Sequence, residues 1–287
     1  MSPVIENVLE YLWHAAIATA MQLFIVLGIG VIFGFVIHHL SRAIQRYAGD
    51  ILPICVYAYL FMIPGTVVHE LSHLVIAVLF LFRINKVVFF QCKPGNPYGG
   101  YVDRSKPRGP FQEIGIFFIR VAPIVLGALA IYGCSLLLVG PALFSGVSLT
   151  VEMGESPNLF MILAQAIESI VPTTLRCFAN LVSLQGVPGW KVWFFLYLAY
   201  SLSNAMNLSD LDWGHAVKGF IYLFVLLFIA NAVVMLDGKD VIGSYVVGIS
   251  QKISGVYAAM LFALSLNLLA AIIAVPLGIM FGRHALR

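Results

Sequence analysis

The sequence predicts an all-α, polytopic membrane protein with about six transmembrane helices, each built on an apolar run of about 20 residues. Three observations predict it. The chain of 287 residues is 61% hydrophobic and only 10% charged, whereas soluble domains are about 25% charged. Its mean hydropathy is +0.98. Apolar runs of membrane-spanning length recur along it. Such a chain cannot hide its apolar surface in water, so the lipid bilayer is its solvent. The net charge of +3 gives no footprint for nucleic acid. The four cysteines, Cys55, Cys92, Cys134 and Cys177, form no CxxC pair, and three lie in apolar runs. They read as small packing residues, and no disulfide is expected.

The start, Met1-Ser2-Pro3-Val4-Ile5-Glu6, lacks the basic opening of a signal peptide, so the first apolar run is expected to remain as an anchor. That run covers residues 15–40 and ends at His38-His39-Leu40-Ser41-Arg42, where the paired histidines read as interfacial polar residues. The second run, residues 51–82, is long for one span, and Pro64-Gly65 should kink it or start it anew. Residues 83–110 change character. Asn85 to Phe90 and Gly99 to Asp103 alternate like short strands around the turn cluster Pro94-Gly95-Asn96-Pro97. A hairpin at the membrane surface, dipping toward the second run, is expected. The third span covers residues 114–138, with Arg120 placed to snorkel to the interface. Residues 159–184 are apolar on one side but carry Gln165, Glu168, Pro172, Arg176 and Asn180, which suits an interfacial or re-entrant helix, with a true span as the competitor. Spans at 190–206, 220–236 and 253–281 complete the chain. The division expected is an N-terminal anchor at 1–50, a core at 51–214 and C-terminal helices at 215–287.

Within the second run stands His69-Glu70-Leu71-Ser72-His73. Residues four apart share a helix face, so His69 and His73 can aim two imidazoles at one point. That spacing suits Zn²⁺, and Glu70 beside it could take a proton from a bound water. The short pattern also arises by chance. Here it sits in an apolar run, where ionisable side chains are costly and default to a functional reading. A catalytic zinc usually has three protein ligands and one open position. The third is sought in Ser203-Asn204-Ala205-Met206-Asn207-Leu208-Ser209-Asp210-Leu211-Asp212-Trp213-Gly214-His215, which puts two carboxylates at an apolar helix end. Asp210 after Ser209 also reads as a helix N-cap. Glu113, Glu152, Glu155 and Glu168 lie in loops or on the amphipathic stretch and are weaker candidates.

In three pieces the chain resembles the site-2 protease family of intramembrane zinc metalloproteases. The first is His69-Glu70-Leu71-Ser72-His73 within an apolar helix. The second is Gly99-Gly100-Tyr101-Val102 on a hairpin after it. The third is Asn204 followed eight positions later by Asp212 in Leu211-Asp212-Trp213-Gly214. The likeness covers roughly residues 51–214. It departs from the family at Trp213, where Gly would follow the ligand Asp, and at Asn207, in place of a proline, and no insertion is long enough for a PDZ domain. The resemblance implies a three-helix metalloprotease core that hydrolyses peptide bonds of transmembrane substrate proteins. It implies zinc held by His69, His73 and Asp212, with Glu70 as general base and Asn204 as a hydrogen-bond donor to the oxyanion or substrate. The alternative is a non-catalytic metal-binding scaffold or transporter of the same fold; retention of Glu70, which a pure metal binder does not need, favours the enzyme.

Six bases in residues 83–110 place that loop in the cytoplasm by the positive-inside rule, against Arg42 and Arg46 on the other side. The helix carrying His69 then runs outside to inside, and Asp212 reaches the same side provided 159–184 does not span. A compact chain without targeting signals is expected, which suggests a multi-pass protein of a prokaryotic plasma membrane.

Overall fold

A computed structural model describes residues 3–93, 96–147, 159–207, 213–236 and 247–281. The described residues are mostly helical, with one small hairpin among them. Helix α1 (Pro3–Leu23) runs through a π-helical turn (Phe24–Gly28) into α2 (Ile29–Ile51). The Tyr257 hydroxyl donates to the Ile25 carbonyl within the π turn. The short α3 (Ile54–Phe61) and α4 (Ile63–Leu79) follow, then β1 (Ile84–Lys93) and β2 (Asn96–Arg104). The remaining helices are α5 (Pro110–Leu138), α6 (Leu159–Val182), α7 (Gly189–Ala205), α8 (Trp213–Leu236) and α9 (Val247–Phe281).

Among the described residues, four helices are long and apolar enough to cross a membrane: Ile5–Ile51, Pro110–Leu138, His215–Leu236 and Ile253–Phe281. The pair α3 and α4, bent by 73° at its break, makes a fifth if taken as one broken span. Helix α7 has 17 residues, about 25 Å at 1.5 Å per residue and short of the ~30 Å hydrocarbon core. The first helical run, at 47 residues, is about 70 Å long and exceeds that core more than twofold, well beyond the expected 15–40. The bend falls where the sequence placed it, because Pro64 sits in the first turn of α4, where its missing N–H costs nothing.

Helices α2, α5, α7 and α9 build the main core. Ile29, Phe33 and Ile37 pack with Ile124, Ala128, Ile131, Phe195, Leu202 and Phe262. Large apolar side chains such as Phe220, Val225, Ile229, Ile272 and Ile279 point outward from α8 and α9, as expected of surfaces that face lipid. Helix α6 is not among the membrane-length helices, and it anchors a loop: Asn180 donates to the Leu143 carbonyl at 3.0 Å and Arg176 to that of Gly146 at 2.5 Å.

The hairpin is antiparallel, with Ile84 opposite Arg104 at its base and Lys93 opposite Asn96 at its tip. It packs along α3 and α4 instead of lying flat beyond them. Its base meets the end of α4, where the Arg104 guanidinium lies 5.3 Å from the Phe82 ring. Toward its tip the Phe90 ring meets Tyr59 of α3.

Two expectations are corrected. Cys55 and Cys92 form a disulfide with Cα atoms 5.8 Å apart. The hairpin folds back on α3 and joins cysteines 37 positions apart, a proximity that local spacing does not reveal. Cys134 and Cys177 remain free thiols, half-buried and buried. Arg120 does not snorkel; it is 3% exposed inside the bundle, beside Ile119 and Val121, which are equally buried.

Candidate metal and catalytic site

Helix α4 has its polar side turned inward. Thr66, Glu70, His73 and Ala77 are buried at three- and four-residue spacing, while Leu71, Val75, Val78 and Leu79 are exposed. This is the inverse of a soluble amphipathic helix. It is the arrangement expected when ionisable groups must avoid lipid.

The two imidazoles are oriented from behind. His69 Nδ1 lies 2.7 Å from the Ala205 carbonyl oxygen of α7, and His73 Nδ1 lies 2.8 Å from that of Ile119 on α5. Each Nδ1 therefore carries the proton and donates it to the carbonyl. Both Nε2 atoms are left as lone-pair donors, and they face each other 3.0 Å apart. Backbone carbonyls behind the ring are the usual outer support of histidines that ligate a metal through Nε2. This donor pair fits Zn²⁺. The close crossing of α4 and α7 makes it possible. The Gly65 N–H donates to Ser201 Oγ at 3.0 Å. A Cβ on Gly65 would lie 2.0 Å from the Ser201 carbonyl oxygen, so any larger residue would push α7, and Ala205 with it, away from His69.

Glu70 is 5% exposed and is covered by the hairpin. A Cβ on Gly100 would lie 2.3 Å from Glu70 Cγ and 2.5 Å from the Val88 carbonyl oxygen. The strand pairing shifts register between Val88 and Gln91, opposite Gly100. This bulge and the missing side chain let the β2 backbone reach the carboxylate.

His69, Glu70 and His73 line a cavity of about 810 Å³. The hairpin contributes Lys86 and the run Gly100 to Arg104, and α2 contributes His38, Ser41, Arg42 and Gln45. Burial holds the Arg104 guanidinium below its ordinary value, while Asp103 beside it pulls the other way. A second, smaller cavity of about 160 Å³ joins His69 and Glu70 to Gly100, Asn204 and Asn207. Asn204 is fully buried there; its Nδ2 donates to the Tyr200 carbonyl at 3.0 Å, and its Oδ1 has no hydrogen-bond partner among the described residues.

The structure thus gathers His69, Glu70, His73 and Asn204. Asp212 and Asp210 lie outside the described residues, as do Glu152 and Glu155; Asn207, five positions before Asp212, lines both cavities. Among the described residues no group of three His, Cys, Asp or Glu side chains converges as a metal site. Glu113 pairs with His215 at 2.9 Å, and Glu168 is exposed on α6. What sequence reasoning missed is the α2 wall. His38, Ser41, Arg42 and Gln45 follow i, i+3, i+4, i+7 spacing, a polar stripe along one face of α2. That spacing was the available signal. Compared with known proteins, the chain matches no family model, no curated protein and no solved structure.

Proposed function

We propose that this chain is an intramembrane zinc metalloprotease that hydrolyses peptide bonds of transmembrane protein substrates within the bilayer. The observation that carries the reading is the pair of convergent Nε2 atoms, 3.0 Å apart, each ring tied through Nδ1 to a backbone carbonyl, with Glu70 in the same cavity. His69 and His73 hold the metal, and Asp212 is the third ligand, following the motif spacing from Asn204. When bound, Zn²⁺ polarises the scissile carbonyl and lowers the pKa of its water to about 7. Glu70 takes the water proton on its carboxylate and later hands it to the leaving amine. Asn204 has one amide N–H left after its bond to Tyr200, and through it donates a hydrogen bond to the oxyanion or the substrate backbone. The sheet has two strands, so each keeps one edge without a strand partner among the described residues. An unwound substrate segment adds to the edge of β2 beside Glu70, exchanging helical hydrogen bonds for strand ones. The site belongs to a multi-pass membrane protein, which we place in a prokaryotic plasma membrane.

The test is Glu70→Gln in the purified full chain. The variant should retain zinc and cleave a co-reconstituted single-span substrate at least about a hundredfold more slowly, as expected for loss of a general base. Equal cleavage by the two proteins would remove the enzyme reading and leave a metal-binding scaffold.

A further inference from the structure

The hairpin is held at its two ends by different means. At the base the Ser105 N–H donates to the Arg83 carbonyl at 2.9 Å, and Gln112 of α5 donates to that of Leu81 at 3.0 Å. Phe82 and Ile84 pack there with Ile116 and Ile119 of α5. Toward the tip the Phe90 and Tyr59 rings meet at 5.2 Å, and Phe90 and Cys92 pack with Tyr57, Ala58 and Met62. The covalent tie at that end is the disulfide from Cys92 to Cys55 of α3.

Between these two ends lies the stretch that covers Glu70. Gly99 pairs with Gln91 and Tyr101 with Val88, and the register shifts between the two pairs. A bulge interrupts the ladder, and glycine has the widest backbone freedom, so Gly99-Gly100 has little stiffness of its own. Yet Gly100 is held so close that a Cβ on it would lie 2.3 Å from Glu70 Cγ. Cys92 directly follows Gln91, the partner of Gly99. The disulfide therefore clamps the hairpin to α3 right beside the segment that needs holding. Both of its cysteines are half-buried, so neither sulfur is sealed in the core.

We infer that the Cys55–Cys92 disulfide is a redox latch that positions β2 over Glu70, and that a dithiol reductant opens it. One thiolate of the dithiol bonds to one cysteine sulfur while the other cysteine leaves as a thiolate. The second thiolate of the dithiol then displaces the first cysteine. The two cysteines take up the two protons the dithiol has lost, and the reductant departs as its own disulfide. The base of the hairpin stays anchored, while the tip half is freed from α3 and Gly99-Gly100 moves off Glu70. The catalytic consequence rests on the peptidase reading, in which the edge of β2 presents the substrate. The oxidised form then cleaves, and the reduced form cleaves slowly because the edge is no longer held beside Glu70.

The experiment measures amide hydrogen exchange by mass spectrometry on the full-length, zinc-loaded protein in neutral detergent, so that no turnover is needed. The oxidised protein is compared with the same protein after dithiothreitol, iodoacetamide, desalting and reloading with zinc. A Cys55→Ser, Cys92→Ser double variant is measured untreated and treated. Reduction of the folded wild type gives the answer even where the variant does not fold. We expect the amides of residues 99–102 to exchange at least about tenfold faster in the reduced protein and in the variant, with α4 and α5 unchanged. Cleavage of a co-reconstituted single-span substrate should slow by at least about fivefold. Reoxidation of an unalkylated sample should restore both, and treatment of the variant should change neither. The inference is overturned if exchange at 99–102 is unchanged in the reduced protein, or if α4 and α5 accelerate equally, which would make the disulfide a general support of the fold. An equal response in the treated variant would overturn it too, by assigning the effect to Cys134 or Cys177. A strand released by reduction, with no cleavage in any sample, sinks the peptidase reading and keeps the latch. Cleavage that reduction leaves unchanged keeps the peptidase reading and sinks the latch.

Discussion

Each imidazole of the pair at His69 and His73 is held by a backbone carbonyl from a different helix, Ala205 on α7 and Ile119 on α5. The donor geometry is therefore set by three helices, and a change in any of them reaches the two Nε2 atoms. In the proposed zinc site, the residue that remains to be assigned is the third ligand. Asp212 lies eight positions after Asn204, and Asp210 follows Ser209 in a sequence that caps helices well. The account predicts that Asp212→Ala loses zinc in the purified protein and Asp210→Ala keeps it, read by metal analysis of each. Loss on changing Asp210 alone would assign the ligand to the wrong carboxylate, and loss in neither would move it out of this stretch. The motif residues were legible because their chemistry is local: i, i+4 spacing on a helix needs no tertiary information. The backbone carbonyls behind them were not, because a main-chain oxygen leaves no mark in a sequence.

At the scale of elements, the hairpin decides how open the site is. Gly100 lies where β2 presses on Glu70, and a Cβ there would meet the Glu70 side chain and two backbone carbonyls, at Val88 and Phe89. Backbone cannot yield as a flexible side-chain end can, so the strand must shift. Gly100→Ala should cost about 1–3 kcal/mol of stability and slow substrate cleavage by at least about tenfold, with zinc content unchanged. Thermal unfolding, metal analysis and a cleavage assay check the three parts, and wild-type rates would show that the contact does not matter. The strands and their turn were readable from alternation and from Pro94-Gly95-Asn96-Pro97, and the α4 start from Pro64. The disulfide, the burial of Arg120 and the α2 stripe were not. Each depends on which element lies across from which, and that is fixed by the packing of helices far apart in the chain. The stripe at 38, 41, 42 and 45 carried a periodic signal, but spacing alone does not say what a polar face looks toward.

For the whole molecule, the hairpin separates two chemistries. Its strands of 10 and 9 residues reach about 30 Å, close to the thickness of a bilayer core. Cys92 is near the tip, while Arg83, Arg104, Lys106 and Arg108 cluster near the base. A disulfide persists in an oxidising compartment and bases favour the cytoplasm; under the proposed reading the base therefore lies inside, as expected for residues 83–110, whereas the tip with Cys92 lies outside, unlike the expectation for the whole loop. A cysteine at Ser105, with the free thiols at Cys134 and Cys177 removed, should be labelled by an impermeant reagent only after the cells are opened; labelling of intact cells would reverse the topology. The central claim, that these helices assemble a zinc site, is tested most directly by metal analysis of the purified chain with and without His69→Ala. The account predicts about one zinc per chain in the wild type and less than about a tenth of that in the variant. Equal zinc in the two proteins, or none in either after purification with zinc supplied, would contradict it.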